Sequence, residues 1–390
     1  MEKVLLIVLT FFTIKISAQV RKYSNEFLNI GVGARALGMA NANVASASGV
    51  NSGYWNPAGL LKQKNNLDVG LMHAEYFAGI AKYDYFGASV KIDSVSTGAI
   101  SLLRFGVDNI PNTLDLVDAN GNIDYNRITT FNAVDFASLI SYARKIQQIK
   151  GVDIGGNFKI IRRRLGSFGG AWGFGLDLGA NYEYNGFKFA AMGRDITGTY
   201  NAWTYNLSEK DIATLQSTGN EIPNSNVEIT APKLILGTAK EYRFYKNRFS
   251  VLTEINAINT FDGKRNTVVK TKTWSMEPAI GLELGYRDLI FLRGGFGNIQ
   301  KQLNPAATQY ITTSQFNFGV GLNYKLFTLD YALTDIGDRS IALYSHIFSL
   351  KISIDKMKKW LEISIIFIFV FFYLISFFQL TFVPKPITLG

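Results

Sequence analysis

The chain has 390 residues with 36 Gly, 8 Pro, no Cys, 14% aromatic and 18% charged residues. So much aromatic side chain with so little charge excludes a disordered chain, a coiled coil or a nucleic-acid tail, and points to a glycine-tolerant β protein. The lack of Cys removes disulfides, thiolate metal sites, cysteine nucleophiles and a lipid-modified N-terminal cysteine; His73 and His346 are the only imidazoles, so a multi-histidine metal centre is excluded as well.

Residues 1–18 read as a secretory signal: Lys3, an apolar stretch from Val4 to Ile14, and a small-residue end at Ser17-Ala18 before Gln19. Residues 19–66 form a second unit. From Phe27 to Leu60 they are rich in small residues and lack the alternation of a spanning strand, which suits a plug, or hatch, folded back into a barrel, with turn chemistry at Asn56-Pro57-Ala58-Gly59. Residues 67–355 are read as the barrel and 357–390 as a hydrophobic tail. Within the tail, Ile363 to Val383 is long enough to cross a bilayer as a helix. It is either a genuine anchor or a foreign segment joined to the gene, and the barrel argument does without it. Of the net charge of +10, the signal carries +1 and residues 356–390 carry +3, leaving +6 for residues 19–355. That is too mild to imply a nucleic-acid partner.

The middle alternates. Trp172, Phe174, Leu176, Leu178, Ala180, Tyr182 and Tyr184 share one face, with Gly173, Gly175, Asp177, Gly179, Asn181 and Glu183 on the other. The same period of two runs through Phe316 to Lys325, Phe327 to Thr334 and Phe348 to Ile354. In a soluble sandwich or propeller the apolar face would be the core. In a lipid-exposed barrel it lies outside, with polar residues and glycine inside and aromatics near both interfaces. About fourteen such segments are expected, near 67–76, 80–92, 95–106, 131–146, 152–165, 171–184, 186–197, 232–243, 248–258, 273–287, 289–298, 312–325, 327–334 and 342–354. Their connections alternate between short turns and longer loops, notably 107–130, 198–231, 259–272 and 299–311. An even strand number, with both barrel termini on the short-turn side, is the plan of a bacterial outer-membrane barrel with periplasmic termini.

Gly31-Val-Gly33-Ala-Arg35-Ala-Leu-Gly38, followed by Tyr54-Trp55-Asn56-Pro57-Ala58-Gly59-Leu60, resembles the PorV/PorQ family of outer-membrane proteins of the type IX secretion system. That family is related in fold to the FadL fatty-acid transporter. Arg194-Asp-Ile-Thr197, leading into Asn201-Ala-Trp203, is similar to a further family segment. The resemblance covers residues 22–354 and stops at the tail. It implies an all-β, transmembrane barrel of about fourteen antiparallel strands, FadL-like, with its hatch in the lumen. It also implies a non-enzymatic secretion component whose partners are secreted cargo proteins, other secretion components and outer-membrane lipids. The hatch motif itself reports structure.

Chemistry candidates are few. His73 and His346 sit in the first and last strands, which pair in a closed barrel; a two-histidine site is conceivable, but solvated or interfacial histidines are the commoner case. Asp177, Glu183, Glu277 and Glu283 could form a catalytic pair, yet lumen-facing carboxylates paired to Lys and Arg are the usual contents of a filled barrel. No Gly-x-Ser-x-Gly elbow occurs, and Gly31-x-Gly33 is no dinucleotide fingerprint, having no strand before it. No enzyme, cofactor or metal is expected. Arg162-Arg163-Arg164 falls near the far interface, where guanidinium groups would contact lipopolysaccharide phosphates. The long connection 198–231, with Trp203, Tyr205, Ile212 and Leu215, is the expected partner surface.

The function expected is therefore type IX secretion through surface loops. One alternative is transport of lipophilic small molecules, which needs an apolar cavity, whereas a polar, hatch-filled lumen favours secretion. The other, a hydrolase, needs a Ser or Asp beside a basic partner at the rim.

Overall fold

The structure is a computed structural model, and it describes residues 19–20, 24–117, 121–303, 309–336 and 344–355. The expected signal at 1–18 and tail at 357–390 lie outside the described residues.

Alternation becomes fourteen long strands: β1 (Leu67–Tyr76), β2 (Ala81–Lys91), β3 (Ser96–Asn112), β4 (Thr129–Lys145), β5 (Val152–Leu165), β6 (Gly169–Tyr184), β7 (Phe187–Arg194), β8 (Lys233–Phe244), β9 (Phe249–Thr260), β10 (Ser275–Tyr286), β11 (Ile290–Leu303), β12 (Tyr310–Tyr324), β13 (Phe327–Ile336) and β14 (Ser345–Ile354). Each pairs antiparallel with its neighbours. The sheet closes where β14 meets β1, from His346 opposite Glu75 to Ile354 opposite Leu67. Closure removes both edges, as a bilayer requires.

The apolar face is outside. Phe174, Leu178, Leu282, Leu284, Val320, Leu322, Leu329 and Phe348 are all exposed, while Asp177, Asn181, Glu254 and Glu283 on the opposite faces are buried. Aromatics gather where strands meet the short turns: Tyr182 stacks on Tyr184 at 6.2 Å, and Phe249 lies 5.0 Å from Tyr286. This is the inside-out pattern of a transmembrane barrel with an interfacial girdle. Among the described residues no helix is long and apolar enough to cross a membrane; the strands do so.

The expected loops are partly structured. The ladders carry β3 to Asn112 and β4 back to Thr129, so the connection proper is 113–128. Two connections on the long-loop side, 77–80 and 166–168, are tight turns. The stretch 198–231 differs most: it holds a strand at Thr199–Tyr205, a helix at Glu209–Ser217, and a strand at Val227–Thr230. The first of these continues the line of β7 beside β6, with Tyr200 opposite Phe174. Between Gly193 opposite Leu178 and Tyr200 opposite Phe174 the wall bulges through residues 194–199. At the same height Ala231-Pro232 interrupts the run from Thr230 to Lys233 on the β8 side, because proline has no N–H for the ladder.

Residues 24–66 lie within the barrel. They contain two short helices, α1 (Ala34–Gly38) and α2 (Ser52–Trp55), and two 3-10 turns, Glu26–Asn29 and Pro57–Lys62. This segment runs the length of the lumen. Gln19–Val20 pair with Glu228–Ile229 at the long-loop end, and Lys62 to Asn66 lead into β1 at the short-turn end. The core is what the segment buries against the inner wall: Val32, Leu37, Met39, Tyr54 and Trp55 against Met72, Tyr83, Leu103, Ile161 and Met192. Glycines of the wall make the room. A Cβ at Gly155 would stand 2.6 Å from the Ala58 nitrogen, and one at Gly281 would stand 2.8 Å from the Met39 Cβ. Part of the glycine content of the sequence is thus the imprint of the plug on the wall.

The third helix, α3 (Glu209–Ser217), starts at a capping box in which the Ser208 hydroxyl and Asp211 carboxylate satisfy each other's backbone N–H. Lys210 ties it to Asp115 in the neighbouring loop at 2.5 Å.

Candidate functional site

The lumen is plugged, and the plug is bolted. Arg35 on α1 meets Glu283 of β10 with two prongs, and its third nitrogen, Nη1, donates to Asn43 Oδ1 at 2.7 Å. Glu283 also takes Arg293 of β11 at 2.6 Å, and Arg293 reaches Asp330 of β13 at 2.7 Å. Glu254 of β9, fully buried, accepts the backbone N–H of Ala45 at 2.7 Å and of Ser46 at 3.0 Å. Two strands along from β9, Arg194 of β7 donates to the Tyr54 carbonyl at 3.0 Å, its guanidinium 4.3 Å from the Tyr54 ring. Next to it Lys159 of β5 joins Asp177 at 2.8 Å and Asp195, directly behind the bulge in the wall. Hydrogen-bonded charge pairs of this kind are the form in which a barrel keeps buried ions.

The sequence motif supplies the geometry. Gly31 and Gly33 have φ of 107° and 81°, so a side chain would be strained there. Gly38 is needed for space, since a Cβ would approach the Gly319 Cα to 3.0 Å. The Trp55 indole donates to the Val32 carbonyl at 2.8 Å. Asn56 is extended at φ −162°, as the following Pro57 demands, and its side chain accepts from the Ala58 N–H at 3.1 Å. Gly59 does not have a positive φ; it too is there for space, with the Ala47 carbonyl 2.6 Å from a built Cβ.

The three consecutive arginines do not form one cluster. Period two sends Arg163 inward, where it clasps Asp135 at 2.9 and 3.1 Å, and leaves Arg162 and Arg164 on the outside. Arg162 stands 5.1 Å from the exposed Trp172 ring. Arg163 meets a residue expected in a different site: the Trp203 ring lies 5.0 Å from its guanidinium, over Ala171. Trp203 also stacks on Tyr205 at 5.7 Å and donates to Glu228 at 2.8 Å. Trp203 and Tyr205 are therefore partly buried members of the wall extension, not free anchors, while Ile212 and Leu215 ride half-exposed on α3.

His73 and His346 both face outward, each with another partner: His73 with Asp84 at 2.7 Å, His346 with the Tyr331 hydroxyl at 2.7 Å. Of the lumen carboxylates, Asp177 and Glu283 are ion-paired, whereas Glu277 lines a cavity and Glu183 is exposed. Glu254, Lys159, Arg293 and Asp330 were not singled out from the sequence. Their inward parity was visible; their partners, far away along the chain, were not.

Two large cavities lie in the lumen among the described residues, one on each side of the hatch. The one at the long-loop end measures about 690 Å³. On one side it has Ile30, Leu37, Trp55, Tyr76, Ile235 and Ile258, and on the other Glu26, Arg194, Lys233, Arg265 and Glu277. The one at the short-turn end measures about 680 Å³ and is lined by many charged residues, among them Lys62, Lys64, Glu241, Lys325 and Lys351. A larger apolar hollow of about 900 Å³, with Leu71, Phe86, Leu329 and Phe348, lies on the lipid-facing wall and not in the lumen.

No protein-family description and no curated protein sequence matches the chain. Solved structures do. The CymD monoaromatic hydrocarbon channel matches with a TM-score of 0.51 and 12% identity over 84% of this chain and 98% of its own. The Pseudomonas putida toluene transporter TodX matches at 0.50 and 13%, over 84% and 98%. A Pseudomonas aeruginosa FadL homologue is more distant, at 0.45 and 12%, over 83% and 98%. The fold is a FadL-like barrel. At this identity the likeness speaks to fold alone.

Proposed function

We propose that this chain is a plugged, non-enzymatic barrel of the outer membrane that admits small lipophilic molecules from the cell surface. The observation that carries the reading is the cavity above the hatch. Its 690 Å³ falls among small-molecule sites, and its apolar wall of Ile235, Ile258 and Trp55 faces a few convergent polar groups. The names of the solved barrels that share the fold, a hydrocarbon channel and a toluene transporter, support the same reading. Long loops face outward in barrels of this class, which makes this cavity the entrance.

A second reading, type IX secretion in the manner of the PorV/PorQ family, is favoured by a different observation. The hatch is pinned to β10, β9 and β7 through Arg35, Glu254 and Arg194, and the surface segment 199–230 is folded and offers a protein-sized platform. Such a barrel works by contact and passes nothing.

One comparison separates them. Uptake of labelled toluene and the profile of secreted proteins are measured in cells with the wild-type barrel, with none, and with Ile258→Arg, which fills the entrance. Uptake falling towards the deleted level in Ile258→Arg, at unchanged barrel amount and unchanged secretion, is the expected result. Uptake that is the same with and without the barrel, together with loss of secreted proteins on deletion, would overturn the first reading in favour of the second.

A further inference from the structure

The charge of the chain is gathered at one end. The segments 62–68, 91–93, 144–153, 183–188, 240–248, 286–288, 324–326 and 351–355 are the hatch exit, the short turns and the strand ends beside them, and they hold fourteen Lys or Arg against seven Asp or Glu. Their net charge of +7 exceeds the +6 of residues 19–355 as a whole, so the remainder is faintly acidic.

Among the described residues, four of the five carboxylates that line the cavity at this end are held in ion pairs. Glu283 and Asp330 hold Arg35 and Arg293, and Glu241 and Asp288 hold Arg243 at 2.6 and 3.0 Å. Asp68 is 2% exposed and lies under Gly49. Lys62, Lys64, Lys325 and Lys351 line the same cavity and have no carboxylate partner among the described residues. Lys62 also has Lys188 for company, and burial followed by that like charge holds its ammonium below the usual lysine pKa. Unpaired lysines crowded around a concave mouth raise its potential and attract anions.

We propose that the short-turn mouth of the barrel is a docking site for an acidic, extended peptide segment of a protein on that side of the membrane. Lys351 stands on the inward face of β14 opposite Gly70 and Lys62 donates to the Ala45 carbonyl of the hatch at 3.2 Å, where membrane headgroups do not reach them, while Lys325 sits at the rim, its ammonium 5.1 Å from the Tyr324 ring. The mouth is a hollow of about 680 Å³, which accepts an inserted strand of chain better than a flat surface. The inference is independent of what the other end of the barrel admits.

The test uses the purified barrel in neutral detergent and fluorescent peptides of about eight residues, long enough to span the mouth. One is Glu-rich, one has Gln in place of Glu, and one is Lys-rich. Anisotropy should show the Glu-rich peptide binding at least about tenfold tighter than the other two, and weakening about tenfold between about 50 and 300 mM salt as screening shortens. The triple variant Lys64→Glu, Lys325→Glu, Lys351→Glu touches none of the bolts of the hatch and should lose the binding while keeping its heat-modifiable gel mobility. Equal binding of all three peptides, or unchanged binding by the triple variant, would overturn the proposal. So would displacement of the peptide by micelles containing phosphatidylglycerol, which would assign the lysines to lipid.

Discussion

Arg35 of the hatch and Glu283 of β10 form a two-pronged ion pair, Nε to Oε2 at 2.8 Å and Nη2 to Oε1 at 3.0 Å, and the same carboxylate also holds Arg293. The two partners are therefore unequal. Glu283→Leu takes the shared carboxylate from two guanidinium groups, leaving Arg35 only Asn43 and the nearly buried Arg293 only Asp330, whereas Arg35→Met leaves Glu283 its bond to Arg293. Glu283→Leu should cost about 3 kcal/mol and Arg35→Met about half of that, after allowing for the partial exposure of Arg35. Thermal loss of heat-modifiable mobility on gels measures the order; equal effects would contradict it.

The packing of Asn56 against Gly179 gives a coupled pair. A Cβ at Gly179 would overlap Asn56 Oδ1 and stand 2.9 Å from Pro57 Cδ. Gly179→Ala and Asn56→Ala should each destabilise the barrel, the second by about 1 to 3 kcal/mol for the unsatisfied backbone groups it leaves. Together they should cost less than the sum, by about 1 kcal/mol, because one change relieves the clash of the other. A double-mutant cycle on melting temperatures reads the difference.

Alternation along β5 predicts opposite phenotypes for adjacent arginines. Arg162→Ala with Arg164→Ala removes outward guanidinium groups and should reduce the lipopolysaccharide phosphate that co-purifies with the barrel, leaving stability within about 0.5 kcal/mol. Arg163→Ala should leave lipid phosphate unchanged and lower stability by about 2 kcal/mol, since it orphans Asp135. Phosphate assay and melting of the same preparations test both.

Because β14 already closes on β1 up to Ile354, a chain ending at residue 355 should assemble into the membrane with unchanged gel mobility. Failure of the truncated chain to assemble would make the tail part of the fold.

Period two in segments such as 172–184 announced the strands, and strand number and class followed because backbone geometry alone sets that period. Small residues from Phe27 to Leu60 likewise marked a segment that could not face lipid. What local pattern cannot give is register across the sheet and contact across the lumen. The sequence shows Arg162, Arg163 and Arg164 as a block in which alternation singles out the middle one; only the register of the sheet decides that its partner is Asp135, 28 residues away. It shows Glu254 within an alternating segment and Arg35 within a segment that has no alternation; only closure of the barrel around the hatch brings Glu254 to the Ala45 N–H and Arg35 to Glu283, across 209 and 248 residues of chain. The bulge at 194–199 belongs to the same class. It arises where the ladder of β6 against β7 yields to a buried charge network, a tertiary preference that no run of side chains along one strand encodes.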